Sequence, residues 1–170
     1  MTGVQTCALP ICVPQNDTKA LVWFEKAANQ NHAAAQYQLG KIHDRSNRVP
    51  CAAAQAIQWW EKASALGNAD AQNILALRYD MGFHLTPHYP RDECRAIALR
   101  EQAAAQGHPE AQTWLAQTYM YDQPHCNLVA NRDKARALLE QAIANGGENT
   151  RKQAERVLYA VEHNGRYPTP

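Results

Sequence analysis

The string "NHAAAQYQLGKIHD" at residues 31 to 44 returns as "GNADAQNILALRYD" at 67 to 80 and as "GHPEAQTWLAQTYM" at 107 to 120. A second string interleaves with it. "WFEKAANQN", starting at Trp23, recurs as "WWEKASALG" at Trp59, "LREQAAAQG" at Leu99 and "LLEQAIANG" at Leu138, at offsets of 36, 40 and 39 residues. Self-similarity at such a period is the mark of a repeat architecture, in which each unit completes its neighbour's apolar interior.

Both strings have helical spacing. In the second, Ala20, Ala56, Ala96 and Ala135 align, as do Ala27, Ala63, Ala103 and Ala142, with Trp23, Trp59, Leu99 and Leu138 between them. Small, large and small residues at i, i+3 and i+7 share one helix face. Alanine lets a neighbouring backbone approach to roughly 8 Å, the low end of helix packing distances, and the bulky residue fills the groove beside it. The first string carries its own stripe: Ala35, Leu39 and His43, then Ala71, Leu75 and Tyr79, then Ala111, Leu115 and Tyr119. Two helix types therefore alternate, type A from the first string and type B from the second.

Punctuation between them agrees. Gly67, Gly107 and Gly146 stand where type B helices end and a left-handed residue costs least, and Pro109 suits a first helical position. Asp17, Asn68 and Asp133 are expected N-caps. Strand patterning is absent, so the chain reads as eight helices near 17–31, 32–44, 51–66, 69–81, 91–106, 109–121, 133–145 and 148–163. The turn from B to A is tight, whereas the connection from A to B varies: "RSNRVP", "GFHLTPHYP" and "DQPHCNLVANR". The last helix keeps Ala154, Val157, Leu158 and Val161 on one face and is polar elsewhere, as a terminal cap should be.

Composition excludes partners more than it names them. Lys and Arg number 17 against 16 for Asp and Glu, and no block of like charge points to nucleic acid or an anionic membrane. No run of 18 apolar residues is present to span a bilayer. "MTGVQTCALPI" at 1–11 has no helical or strand period and looks like the conceptual translation of a common short-read sequencing adapter, read in frame from a GTG start; it is set aside from fold reasoning. On that expectation the native N-terminus is missing, Leu21, Trp23 and Phe24 lie on a type B helix without its partner, and an apolar patch is exposed there. The domain expected is 12–163, three full repeats with an N-terminal orphan helix and a C-terminal capping helix, followed by a tail at 164–170.

The strings "AAAQYQLGKIHD", "VPQNDTKALVWFEKAANQN" and "AIQWWEKASALGNADAQ" resemble the pattern of the Sel-one-like repeat (SLR) family, a relative of tetratricopeptide repeats: A-x-x-x-L-G-x-x-Y, then V-P-x-D, then K-A-x-x-W-Y-x-K-A-A-x-x-G. The likeness covers about residues 13 to 163. It implies an all-α, right-handed αα solenoid whose inner surface binds proteins or peptides as a scaffold or adaptor. Bacterial members are often exported to the envelope and eukaryotic ones act in protein quality control, so localisation stays open. His43 replaces the family's tyrosine, and Asn31 stands in place of a glycine.

Beside the core stripe the type A helices carry a second face: Gln38, Lys41 and Arg45, then Ile74, Leu77 and Met81, then Trp114, Gln117 and Tyr121. Its chemistry changes from unit to unit, as a surface reading an external ligand is free to do. Gln38, Lys41, Ile74, Leu77, Trp114, Gln117 and Tyr121 are therefore the candidate partner-binding residues, against the simpler reading that the apolar ones widen the core.

Chemistry beyond binding has thin support. His84 and His88 in one connection and His125 and Cys126 in the next suit zinc's preferences in residue type but not in any recognised spacing, and Cys126 has the alternative of a cross-link to Cys94. No cofactor or metal is assigned. HExxH, GxSxG, a phosphate loop and paired carboxylates are all missing, so the chain is not expected to be an enzyme. Glu25, Glu61, Glu101 and Glu140 recur in one column, read as an exposed face. Some cysteine-rich relatives imply an alternative, an exported repeat protein with weak β-lactam-binding or hydrolase activity, but Ser46 and Ser64, the only serines, lack an S-x-x-K context.

Overall fold

The computed structural model describes residues 15–44, 50–82, 91–163 and 165–166, with side chains from residue 21 and, after the first gap, from residue 54. Eight α-helices are found among the described residues: α1 (Gln15–Asn29), α2 (Ala33–Asp44), α3 (Pro50–Ala65), α4 (Ala69–Met81), α5 (Glu93–Ala105), α6 (Pro109–Thr118), α7 (Arg132–Asn145) and α8 (Glu148–Glu162). No helix among them is long and apolar enough to cross a membrane. They fall into two compact units, one holding α1 to α3 and ending at Gly67, the other holding α4 to α8.

The helix ends show why the punctuation recurs. Gly67 and Gly107 adopt φ of 83° and 82°, and Asn31 adopts 60° at the equivalent place. Asparagine is among the few residues that enter this region at low cost, so the family's glycine is dispensable there. One residue later, His32, Asn68 and His108 form an N-cap column. Asn68 Oδ1 accepts from the Ala71 amide at 2.8 Å, and the Nδ1 atoms of His32 and His108 accept from Ala35 at 3.3 Å and Ala111 at 3.2 Å. Pro109 is the first residue of α6, as expected.

Three expectations are corrected. Asp17 and Asp133 lie inside α1 and α7, which begin at Gln15 and Arg132, and the cap of α7 is Asn131, accepting from Lys134 at 2.9 Å. Aspartate is favoured both at the cap and within the first turn, so residue type alone does not separate the two. Gly146 is not left-handed: its φ is −80°, and its smallness serves close packing, since a Cβ would meet the Ala142 carbonyl oxygen at 2.6 Å.

Inside, Ala56, Ala63, Ala71, Ala96, Ala103, Ala111, Ala135 and Ala142 of the small columns are all at 0 % exposure, whereas on α1 Ala27 is half-buried and its neighbour Ala28 goes inside. The type A stripe of Leu39, Leu75, Leu115, His43, Tyr79 and Tyr119 is buried throughout. On the type B helices the large residue that goes inside is the neighbour of the one expected. Trp60, Arg100 and Leu139 are buried, whereas Trp59, Leu99 and Leu138 are half-buried. Each buried aliphatic or aromatic side chain of this kind contributes roughly 1.5–3 kcal/mol, so this column carries much of the hairpin stability.

A buried glutamine column in the recurring "AQ" pairs joins each type A helix to the helices before or after it. In the first unit, Gln36 Nε2 donates to the Ala28 carbonyl near the end of α1 at 3.1 Å. In the second, Gln112 Nε2 donates to the Ala104 carbonyl at 3.3 Å and to Gln141 Oε1 at 2.9 Å, while Gln72 bonds Gln102 on α5 and Gln106 at its C-cap. The last helix α8 buries Ala154, Val157 and Val161 on one face, and Thr150 Oγ1 donates to Glu110 Oε1 at 2.6 Å. On α1, Trp23 is 70 % exposed and Val22 46 %, while Leu21 and Phe24 pack beside Leu39 of α2.

Candidate functional site

The second face of the type A helices is open in both units, to different degrees. In the first unit Lys41 is exposed and Gln38 half-buried on α2. Arg45 lies outside the described residues. In the second unit Ile74 and Leu77 are half-buried on α4, Met81 is exposed, and on α6 Trp114 is 38 % exposed with Gln117 half-buried beside it. Tyr121 is also exposed, but α6 ends at Thr118, so helical spacing no longer places it on the face of Trp114.

What the spacing did not reveal is the floor beneath Trp114. A cavity of about 370 Å³ opens between α4, α5 and α6, lined by Asp80, Arg91, Glu93, Ile97, Arg100, Trp114, Gln117, Thr118 and Gln123. Arg100, only 3 % exposed, occupies the column that holds Trp60 and Leu139 elsewhere. Its guanidinium pairs with Asp80 and lies 5.4 Å from the centroid of the Trp114 ring. Burying a guanidinium without a carboxylate would cost several kcal/mol, and Asp80 supplies that charge while the indole covers the remaining face. Of the expected binding residues, the cavity therefore gathers Trp114 and Gln117. Gln117 also lines a second cavity, of about 480 Å³, with Asn149, Lys152, Gln153, Arg156 and Val157.

The glutamate column is more than a solvated face. Buried Tyr119 donates its hydroxyl to Glu101 Oε1 at 2.9 Å, and Lys134 Nζ donates to the Tyr119 hydroxyl oxygen at 3.4 Å. Burial and the bond to Glu101 together push the Tyr119 hydroxyl above its ordinary value. In the first unit the aligned pair is Glu25 and His43. Burial lowers the His43 pKa, with the Glu25 charge acting in the opposite sense, and His43 Nδ1 is buried without a hydrogen-bond partner among the described residues. A tyrosine or histidine column on type A helices beside a glutamate column on type B helices was visible in the sequence. Only their alignment across two helices was not.

In the connection after α6, a 3-10 turn at Pro124–Cys126 is closed by a bridge between Gln123 and Leu128, with Asn127 left-handed at φ 54°. This turn brings Cys126 to the start of α5, where it forms a disulfide with Cys94. His125 Nε2 lies 2.7 Å from Glu93 Oε2. His84 and His88, grouped with His125 and Cys126 in the sequence reading, lie outside the described residues. Ser64 is half-buried in the last part of α3, and Ser46 is outside the described residues.

Comparison with known proteins decides the family. The family model for the Sel1 repeat matches residues 10–32, 33–68, 69–108 and 109–147. The chain belongs to the Sel1 repeat family. A Sel1 repeat protein from Oxalobacter formigenes is similar at 25 % identity and a TM-score of 0.66, over 81 % of this chain and 98 % of that one. The protein c5321, described as a protective antigen present in uropathogenic Escherichia coli strains displaying an SLR fold, is similar at 27 % identity and a TM-score of 0.67. That match covers 91 % of this chain but 31 % of the other. No curated protein matches. The all-α fold class of paired Sel1 helices expected from the sequence is the one these neighbours share, and Sel1 repeats generally mediate protein interactions.

Proposed function

We propose that this Sel1 chain is a binding scaffold that takes a protein or peptide partner on its type A helix faces, with Trp114 as the principal anchor of the second unit. The observation that carries the reading is the state of Trp114. The residue is left 38 % exposed at the mouth of a cavity whose floor is a buried Arg100 paired with Asp80, while Tyr119, the residue that caps the end of α6, is 7 % exposed. An aromatic ring held rigidly beside a recess is the type of group that contributes most binding energy at protein interfaces. Gln117, Ile74 and Leu77 extend that surface in the second unit, Tyr121 adds an exposed ring beyond the end of α6, and Gln38 and Lys41 lie on the type A face of α2 in the first unit. No catalytic role is proposed, and no observation favours β-lactam chemistry.

Selection of a phage-displayed peptide library against the full chain tests this. Peptides that bind the wild type are expected to lose roughly ten-fold or more in affinity for Trp114→Ala, the scale of an anchor worth 1.4 kcal/mol or more. The melting temperature of that variant should fall by no more than about 2–4 °C, since the contact with Arg100 is worth about 1 kcal/mol. Selected peptides that bind Trp114→Ala undiminished would remove the anchor from the surface.

A further inference from the structure

Cys94, His125 and Cys126 each present a ligand atom, and these atoms lie within 4.8 Å of one another. The connection after α6 is built to bring them together. The 3-10 turn places His125 and Cys126 consecutively against the first turn of α5, where Cys94 Sγ is 3.5 Å from the His125 carbonyl oxygen. Glu93, one residue before Cys94, holds the His125 ring through Nε2. Two cavities border the cluster. One of about 450 Å³ is lined by both cysteines, and one of about 400 Å³ by Cys94, His125 and Glu93.

We propose that reduction of the Cys94–Cys126 disulfide turns this corner into a zinc site, with the two thiolates and a ring nitrogen of His125 as protein ligands. A dithiol reductant delivers two electrons and two protons to the S–S bond and itself closes to a disulfide, leaving two thiols. Zinc then displaces the two thiol protons to solvent as the Zn–S bonds form. Thiolate and imidazole donors are those that zinc prefers, and ligand bonds of about 2.0–2.3 Å set neighbouring donor atoms roughly 3.5–3.8 Å apart in a tetrahedron. The three ligand atoms lie within 4.8 Å of one another, and once the S–S bond is broken, rotation of the two cysteine side chains separates the sulfurs toward that spacing. A carboxylate on the remaining ring nitrogen fixes the orientation of the imidazole, the common support for a ligating histidine, and Glu93 is placed to provide it. Zinc would then hold the 3-10 turn to α5 under reducing conditions, as the disulfide does under oxidising ones.

The test uses the full chain and zinc alone, titrated against a chromophoric chelator. The reduced wild type is expected to retain about one zinc more per chain than either the oxidised wild type or reduced Cys94→Ser/Cys126→Ser. His125→Ala, which can still form the disulfide, should bind at least ten-fold more weakly when reduced while keeping its oxidised melting temperature. Cobalt in place of zinc should give a thiolate-to-metal absorption band only in the reduced wild type. Equal zinc retention by the reduced wild type and the double serine variant would overturn the site. Undiminished binding by His125→Ala would overturn the three-ligand assignment.

Discussion

Gly40 of α2 and Trp60 of α3 occupy the same space: a Cβ built on Gly40 would lie 2.2 Å from Trp60 Nε1. The indole is fully buried against the bare backbone and donates from Nε1 to the Tyr37 carbonyl oxygen at 3.2 Å. The aligned residues on α4 and α6 are Ala76 and Ala116, and the residues aligned with Trp60 are Arg100 and Leu139. The smallest residue of the type A column accompanies the widest of the type B column.

Gly40→Ala should therefore destabilise the protein although it improves helix propensity. The propensity gain is about 1 kcal/mol, and overpacking a closed interior costs typically 1–3 kcal/mol, more where a ring has no room to move. A net loss of up to about 2 kcal/mol in denaturant unfolding is expected, and Trp60→Leu in the same chain should recover part of it. A stabilised Gly40→Ala would show that the ring is not seated on this glycine.

Acid should weaken the first unit through His43. Its pKa is lowered by burial, so below the unfolded value of about 6.5 the unfolded chain takes up a proton that the folded chain refuses. Stability contributed by the neutral ring is present above that pH and is lost as pH falls through and below it. His43→Tyr restores the aromatic residue found at Tyr79 and Tyr119 and removes this proton uptake. The difference in melting temperature between variant and wild type should widen from pH 7.5 to pH 5.5; a constant difference would mean that His43 titrates alike in both states.

The ion pair under Trp114 predicts an asymmetry. Asp80→Ala leaves the Arg100 guanidinium buried without its carboxylate and should cost about 3–5 kcal/mol, whereas Arg100→Met, in a column that elsewhere holds Trp60 and Leu139, should be near neutral or stabilising. Urea unfolding of the two variants and of their combination checks this. Equal, small effects would mean that water reaches the pair.

Reduction of the disulfide in the presence of a chelator should lower stability by about 2–4 kcal/mol. The Cys94–Cys126 link spans a sequence separation of 32 and closes α5 and α6 into one loop, which restricts the unfolded chain. Thermal melts with and without a dithiol reductant measure the loss, and Cys94→Ser/Cys126→Ser should match the reduced protein. A reduced protein as stable as the oxidised one would assign the tether no role in folding.

The sequence by itself determined the period, the alternation of two helix types, the alanine columns and the Asn68 and Pro109 boundaries, because these are local: spacing and backbone preference act within a few residues. Tertiary packing decided the rest. At 100° per residue, alanines at i and i+7 leave positions i+3 and i+4 roughly 50° to either side of the stripe, so periodicity alone does not choose between Trp59 and Trp60. The facing helix chooses, by offering Gly40 to one of them. Trp114 likewise stays partly exposed beside a cavity floored by the Arg100–Asp80 pair, an arrangement set by three helices and not by one. Cys94 meets His125 and Cys126 only through the path of a variable connection, where no helical register carries the information.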